Sequence, residues 1–367
     1  MMPSRRDLAK EYLVSPLTLE RAIAPLIADG TLRSDSRRGT FVAADNLVDS
    51  ESAEPTGDSS GRCNAAARTH ISARSAGIVV NGSLYERDIS NLAAYGHRIL
   101  LRSFERFMSD KGLTTQVVNS NREDGGEELS LSDAVKTLLT REVEAIAVVG
   151  FETDLDIVAD ALSAVPAELP KVAILSGALD RPIPHVFYDS RNSGYQAASH
   201  LIEQGQREIT VFAPFTSRWV TERVEGVQSA AAHSALAQKN INLFNGSPVW
   251  EYHSDPVPLG RALACEALAG GWQPNGGIVC VNDGVAIGVM SALEVAGYAA
   301  GEDYLIIGFD DDPYARLHNL SSLSPPMEDL AREAVRLLAE QINGNRSSVG
   351  VQLNSNLIRR ASTIFRS

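Results

Sequence analysis

Ile278-Val279-Cys280-Val281-Asn282-Asp283-Gly284-Val285-Ala286-Ile287-Gly288 is the stretch on which the fold turns. Its first four residues are apolar and largely β-branched, the composition of a strand buried on both faces. Asn282-Asp283 breaks the run, and helical spacing takes over across Ala286–Val295. Strand passes to helix with almost no loop between. The same grammar recurs along the chain. Apolar β-branched runs stand at 77–80, 116–118, 145–149, 172–175, 186–188, 209–212 and 305–307. Helical spacing separates most of them, as at Leu92–Met108, Leu131–Leu139 and Ala197–Ile202. Strand and helix in alternation predict an α/β fold with parallel, doubly wound sheets. Two such sheets account for the length.

Ligands in these folds bind beyond the carboxyl ends of the strands, so site residues are expected just after strands. Asn81 follows the first run and Asp189 the fifth. Asn282-Asp283 follows 278–281, and Asp310-Asp311-Asp312 comes soon after 305–307. Asp and Asn after a strand also serve as helix caps and turn residues. Their repetition at one end of the sheets points to a polar pocket.

The chain has 367 residues, 44% hydrophobic and 22% charged, which suits two or three globular domains and excludes disorder as the main state. No apolar run reaches the roughly 18–20 residues that cross a bilayer, and Met1 to Asp7 lacks the apolar core of a signal peptide. Cys63, Cys265 and Cys280 are far apart and odd in number, so neither a disulfide framework nor a zinc cluster is expected, and a reducing cytoplasm is the simplest location. The net charge of −13 argues against a protein that coats nucleic acid non-specifically. It is unevenly spread. Residues 1–43 hold seven Lys/Arg against five Asp/Glu, while the remainder holds 26 against 41.

The slightly basic head reads as a unit. Ser4 and Asp7 make a capping-box variant. Ser15 can cap a second helix, with Pro16 at its first position. Leu19, Ala22, Ile23, Leu26 and Ile27 form one apolar face, and Gly30 is a terminator. Thr31-Leu32-Arg33 and Thr40-Phe41-Val42 read as short strands around the basic turn Ser34 to Gly39. Two helices, a sharp turn and a basic hairpin describe a winged helix-turn-helix, with the second helix in the major groove and the wing on the backbone or in the minor groove. Residues 44–75 are acidic, Gly-containing and poor in large apolar side chains, and read as a flexible linker.

The head resembles the GntR-type DNA-binding domain. The matching residues are Pro3-Ser4-Arg5-Arg6-Asp7-Leu8-Ala9, Val14-Ser15-Pro16-Leu17-Thr18, Leu26-Ile27-Ala28-Asp29-Gly30 and Arg38-Gly39-Thr40-Phe41-Val42. The resemblance implies DNA contact by Arg6, by Ser15, Leu17 and Thr18 at the start of the recognition helix, and by Arg38 and Gly39 in the wing. Pro16 and Glu20 stand where some members carry arginines, and Arg21 is the expected substitute. The family domain has another helix before Pro3, so the head is expected to be truncated.

Residues 76–367 resemble the LacI/GalR effector domain, a two-lobed periplasmic-binding-protein-like fold. Arg223-Val224-Glu225-Gly226, Val281 to Gly288, Gly308-Phe309-Asp310-Asp311, Leu320-Ser321-Ser322-Leu323 and Arg360-Ala361-Ser362-Thr363 carry the likeness. It implies one lobe of about 76–187 and 322–345, and another of about 188–321 and 346–367. It implies an effector cleft lined by Arg223, Asn282 and Asp310, with Asn81 and Asp189 joining them as residues that follow strands. Tyr85, Trp219 and Phe215 are candidates for the aromatic cover of a sugar ring. A GntR-type head on a LacI-type body is the arrangement of arabinose-repressor-like regulators.

Phosphate-loop, dinucleotide, zinc-protease and nucleophile-elbow motifs are absent, and the seven histidines do not cluster. No catalytic residue, metal or cofactor is expected. The expectation is a sugar-responsive repressor, acting as a homodimer on operator DNA, with no membrane. The rival expectations are a sugar-binding receptor without DNA binding and an enzyme acting on a sugar in the same cleft.

Overall fold

The computed structural model describes residues 32–35, 39–42, 74–80, 94–120, 129–151, 153–234, 240–246, 255–346 and 348–365. The chain forms two compact units, Met1–Thr69 and His70–Ser367. In the first, β1 (Leu32–Asp35) pairs antiparallel with β2 (Gly39–Val42), from Leu32 opposite Val42 to Asp35 opposite Gly39. This is the expected hairpin, with its first strand running two residues further into the turn. Arg6, Ser15, Leu17, Thr18, Arg21 and Arg38 lie outside the described residues, as does most of the expected linker.

The second unit holds two six-stranded sheets. The first contains β3 (Ser75–Val80), β4 (Thr114–Asn119), β5 (Ala145–Gly150), β6 (Lys171–Leu175), β7 (His185–Tyr188) and β13 (Gly350–Leu353), in the order β13-β7-β6-β5-β3-β4. All its pairings are parallel. The second contains β8 (Ile209–Ala213), β9 (Ile241–Asn245), β10 (Gly277–Cys280), β11 (Leu305–Phe309), β12 (Ser321–Ser324) and β14 (Asn356–Ile358), in the order β14-β12-β11-β10-β8-β9. Only β12 and β14 pair antiparallel there. In both sheets the strand order reverses beside the first strand. The crevices beyond β3 and β5, and beyond β8 and β10, are therefore the natural ligand positions.

Helices cover both faces of each sheet. Packing on the first are α1 (Ala94–Ser109), α2 (Leu131–Thr140), α3 (Leu155–Ser163) and, from late in the chain, α9 (Met327–Ile342). Alternation in β3 divides the core. Ala76, Ile78 and Val80 share a cluster with Leu100 and Phe104 of α1 and with Leu330, Ala334 and Leu338 of α9, whereas Val79 joins the cluster of α2 and α3. On the second sheet, α4 (Ser190–Glu203) and α5 (Arg218–His233) share one apolar cluster, and α6 (Pro256–Ala269) and α7 (Asp283–Val295) share the other. The short α8 (Pro313–Leu317) follows β11.

Two segments sit in the opposite lobe from the one expected. Residues from 322 are expected to open the return to the first lobe, but Ser321–Ser324 is β12 of the second sheet, parallel to β11. Residues from 346 are expected in the second lobe, but Gly350–Leu353 is β13, which runs parallel to β7 and lays Val351 and Leu353 against the first core. The physical reason is the same in both cases. Each strand adds to a sheet before the chain crosses, so the crossings fall after the strands, near 189, 325 and 354. At two of them side chains tie the lobes: Gln352 Nε2 donates to Asp189 Oδ2 at 3.1 Å, and Ser193 Oγ lies 2.8 Å from Ser355 Oγ.

Close helix crossings stiffen the second lobe. A side chain at Gly194 would overlap the backbone of Arg223, and one at Gly226 would overlap the backbone of Arg191. Gly260 and Gly288 stand in the same relation to Val285 and Val257 across α6 and α7. Each glycine lets two helix backbones approach more closely than any β-carbon allows.

Candidate functional site

The site is built at the carboxyl end of the second sheet. Ser217 caps α5 by accepting from Val220 N at 3.4 Å, which starts the helix directly after β8 and its short loop. Trp219 and Arg223 are four residues apart and therefore share a helix face. Arg223 is only 4% exposed. Its guanidinium lies 4.6 Å from the Trp219 ring centre and 4.3 Å from that of Phe309. Nη1 donates to the Val281 carbonyl at 2.5 Å, and Nη2 to Asp310 Oδ1 at 3.4 Å. Nε is buried with no hydrogen-bond partner.

Asp310 and Asp311 both have positive φ, 103° and 49°. Such backbone is strained for residues other than glycine and collects at functional sites. Here three successive amides hold it in place. Asp310 N donates to Leu323 O, Asp311 N to Ser322 Oγ, and Asp312 N to Asp283 Oδ2. The turn sends the three carboxylates in different directions. Asp310 meets Arg223, Asp311 meets Arg360 at 2.5 Å and Arg316 at 3.5 Å, and Asp312 caps α8.

Electrostatics follow from this burial. The Asp310 side chain keeps 42% of its surface open, yet the packing around it pushes its carboxyl above the usual range, while Arg223 and then His97 pull it back. His97 belongs to α1 of the first lobe, so its field reaches Asp310 from the other side of the cleft. Asp283 is fully buried, and burial, followed by Asp312 and Asp310, pushes its carboxyl well up. Asp312 is pushed to about 6, chiefly by burial.

The first lobe contributes aromatic surface. Phe151 follows β5 and is packed edge-on by His97 at 5.3 Å and Tyr188 at 5.7 Å. Ser176 Oγ donates to the Phe151 carbonyl at 2.8 Å, tying the ends of β5 and β6 together.

Of the residues singled out in the sequence, Arg223, Asp310 and Trp219 come together, with Asn282 adjoining the Val281 carbonyl that Arg223 holds. Asn282 is also the cap of α7, its Oδ1 accepting from Val285 N at 2.8 Å. Asp189 caps α4 and accepts from Gln352, so both its oxygens are engaged at the first crossing. Phe215 is core, 3% exposed, and stacks edge-on with Trp219. Asn81 and Tyr85 lie outside the described residues. Sequence reasoning does not single out His97, Phe151 or Phe309 as site residues. Phe309 stands inside a recognisable motif, beside Asp310, and Phe151 directly follows a strand but is apolar; His97 carries no local signal.

This arrangement offers a guanidinium, a carboxylate and a half-buried indole, which together can pair hydroxyls and cover an apolar ring face. Among the described residues, no group of three His, Cys, Asp or Glu side chains is placed to hold a metal ion, and no helix is long and apolar enough to cross a membrane. A separate depression of about 350 Å³ lies on the second lobe, lined by residues that include Met290, Glu294, Tyr298 and His318. Val295, Leu317 and Ile364, each within two residues of its lining, are exposed.

Residues 198–363 match the periplasmic binding protein-like domain family. The HTH-type transcriptional regulator AscG of Escherichia coli K12 is 26% identical over 371 residues, covering 99% of both chains. The HTH-type transcriptional repressor PurR of Actinobacillus pleuropneumoniae serotype 3 is 29% identical over 176 residues, and the match spans about half of each chain, 48%. Among solved structures, a LacI-family transcriptional regulator from Enterococcus faecium with bound ribose superimposes with a TM-score of 0.61 at 21% identity, over 80% of this chain and all of that one. The lac repressor dimer bound to operator and an anti-inducer gives 0.63 at 18% identity, over 79% and 93%. The chain thus carries a periplasmic-binding-protein-like domain of two parallel-sheet lobes, and its homologues are transcription regulators.

Proposed function

We propose that the chain is a sugar-responsive, DNA-binding transcription regulator that acts as a repressor and works as a homodimer in the cytoplasm. The observation that carries this reading is the meeting of Arg223, Asp310 and Trp219 at the carboxyl ends of β10 and β11, facing His97 of the other lobe. A small carbohydrate bound there touches both lobes, and it shifts DNA affinity by as much as it prefers one lobe arrangement over the other.

The DNA-binding half of the reading rests on the head. The alignment with AscG runs over nearly the whole chain, so it includes the head of an HTH-type regulator. The antiparallel β1–β2 hairpin with its basic turn supports a wing, and with it a GntR-type head. Arg6, Ser15, Leu17, Thr18, Arg21, Arg38 and Gly39 are the proposed DNA contacts. The apolar outer face near Leu317 and Val295 suits the contact between two copies.

The test is a gel-shift on the intergenic DNA beside the gene, with and without a panel of monosaccharides that includes ribose. Specific binding that weakens with salt and changes with one sugar supports the reading. Arg6→Ala and Gly39→Ala are expected to weaken operator binding without changing sugar affinity. Asp310→Ala is expected to abolish the sugar response while leaving operator binding intact. Sugar binding with no operator binding by the full chain would overturn the regulator and leave a receptor.

A further inference from the structure

Arg218, the first residue of α5, reaches the other lobe. Its guanidinium carbon lies 3.1 Å from the place where a β-carbon of Gly177 would stand, and Nη2 would overlap that β-carbon. The three heavy atoms nearest to that place all belong to Arg218. Gly177 follows β6 in the first lobe and is buried. Its loop is fixed by the bond from Ser176 to the Phe151 carbonyl. On the other side, Arg218 is paired with Glu222 Oε1 at 2.8 Å, one helical turn on, and the Glu222 side chain is 18% exposed. Burial raises the Glu222 carboxyl, Arg218 lowers it, and Asp189 and Arg191 act on it from the crossing.

We propose that Arg218 and Gly177 form a latch between the lobes, in which a guanidinium from the second lobe fills the space of the side chain that position 177 lacks. The missing β-carbon is the seat, and Glu222 holds the guanidinium at the angle that fits it. Arg218 is then a positioning residue for closure. It stands one residue from Trp219 and five from Arg223, so whatever occupies the cleft is enclosed when the latch is seated. The proposal does not depend on which molecule binds, or on whether the chain binds DNA.

The latch is tested on the full chain without any ligand. Spin labels are placed on native Cys265 in the second lobe and on Lys136→Cys in the first, with Cys63→Ser to remove another thiol. The parent is expected to give one narrow distance distribution. Arg218→Ala is expected to raise the population of longer distances about two- to fivefold, the scale of a half-exposed charged contact. Gly177→Val is expected to do the same by unseating the guanidinium. In the double variant the valine meets no guanidinium, so the distribution should match that of Arg218→Ala alone. Arg218→Lys keeps the charge beside Glu222 but not the flat group, and is expected to fall between. Unchanged distances in Arg218→Ala would overturn the proposal, as would fully additive effects in the double variant. If Gly177→Val does not fold, Gly177→Ala and Arg218→Ala decide the matter.

Discussion

Removing Arg223 should cost stability before it costs binding. Three contacts set the magnitude. The bond to the Val281 carbonyl is charge-assisted and buried, and is worth about 1.5–3 kcal/mol. The Trp219 and Phe309 faces together add about 1–2 kcal/mol in a place with little water. The Asp310 pair adds about 1 kcal/mol or less, because that carboxylate is 42% exposed. Arg223→Met keeps most of the apolar stem and loses these contacts, so about 3–5 kcal/mol should go. Arg223→Ala should lose about 1–2 kcal/mol more through the cavity it leaves. Urea unfolding at about pH 7.5, followed by tryptophan fluorescence, measures both. A methionine variant within about 0.5 kcal/mol of the parent would refute the reasoning, since buried, partnered contacts of this kind cannot all be silent. The result also decides how a binding defect at this position is read. Loss of sugar response in Arg223→Ala would mix recognition with folding, whereas Asp310→Asn keeps the shape of the side chain and isolates the charge.

Gly226→Ala should destabilise the second lobe by about 1–3 kcal/mol, because the added carbon meets the Arg191 backbone and forces α4 and α5 apart; an unchanged urea midpoint would contradict this. Arg360→Ala leaves Asp311, 9% exposed, without its nearest cation and the Leu320 carbonyl without its donor, and should cost about 3–5 kcal/mol, read from the same urea titration. Asp312 titrates near 6 in the folded chain, so the fold keeps a proton that the unfolded chain releases from about pH 4 upward. Its contribution to stability therefore falls as pH rises through that window. Asp312→Asn retains a cap for α8 and should gain on the parent by up to about 3 kcal/mol between about pH 4 and 7; parallel pH profiles for the two proteins would rule this out.

The strands most legible in the sequence are those where apolar, largely β-branched residues run together, as at 145–149 and 305–307. The ones that escape it are interrupted by polar residues, as β9, β13 and β14 are, and β12 is mostly polar. Ser321-Ser322-Leu323-Ser324 is a strand in the interior of the second sheet, and its buried serines are satisfied by Ser362, Thr363, Arg360 and Asp283 from distant segments. No local pattern announces such a strand. The site divides in the same way. Residues that follow a strand directly, such as Asn282 and Asp310, are legible from the rule that ligands sit beyond carboxyl ends. A partner that approaches from another element, such as His97, depends on how the sheets face each other, and Phe151, although it follows β5 directly, is apolar and reads as the end of its strand. Capping explains part of what the sequence pattern suggests about ligands, since Asp189 and Asn282 both serve helices.

The late return of the chain to the first sheet has a consequence for synthesis. The side chains of Leu100, Phe104 and Met108 on α1 are covered only when α9 arrives, more than 200 residues later in order of emergence, and the edge beyond β7 stays bare until β13 follows it. Most of the second lobe lies between residues 190 and 324, although β14 and the Arg360 to Thr363 segment that satisfies its buried serines also arrive last. A ribosome adding about 5–20 residues per second leaves that apolar surface open for about ten seconds or more. The nascent first lobe is thus the part of this protein most in need of a chaperone. Translation pauses between positions 190 and 326 should raise its aggregation more than pauses before position 94, where α1 has yet to be made.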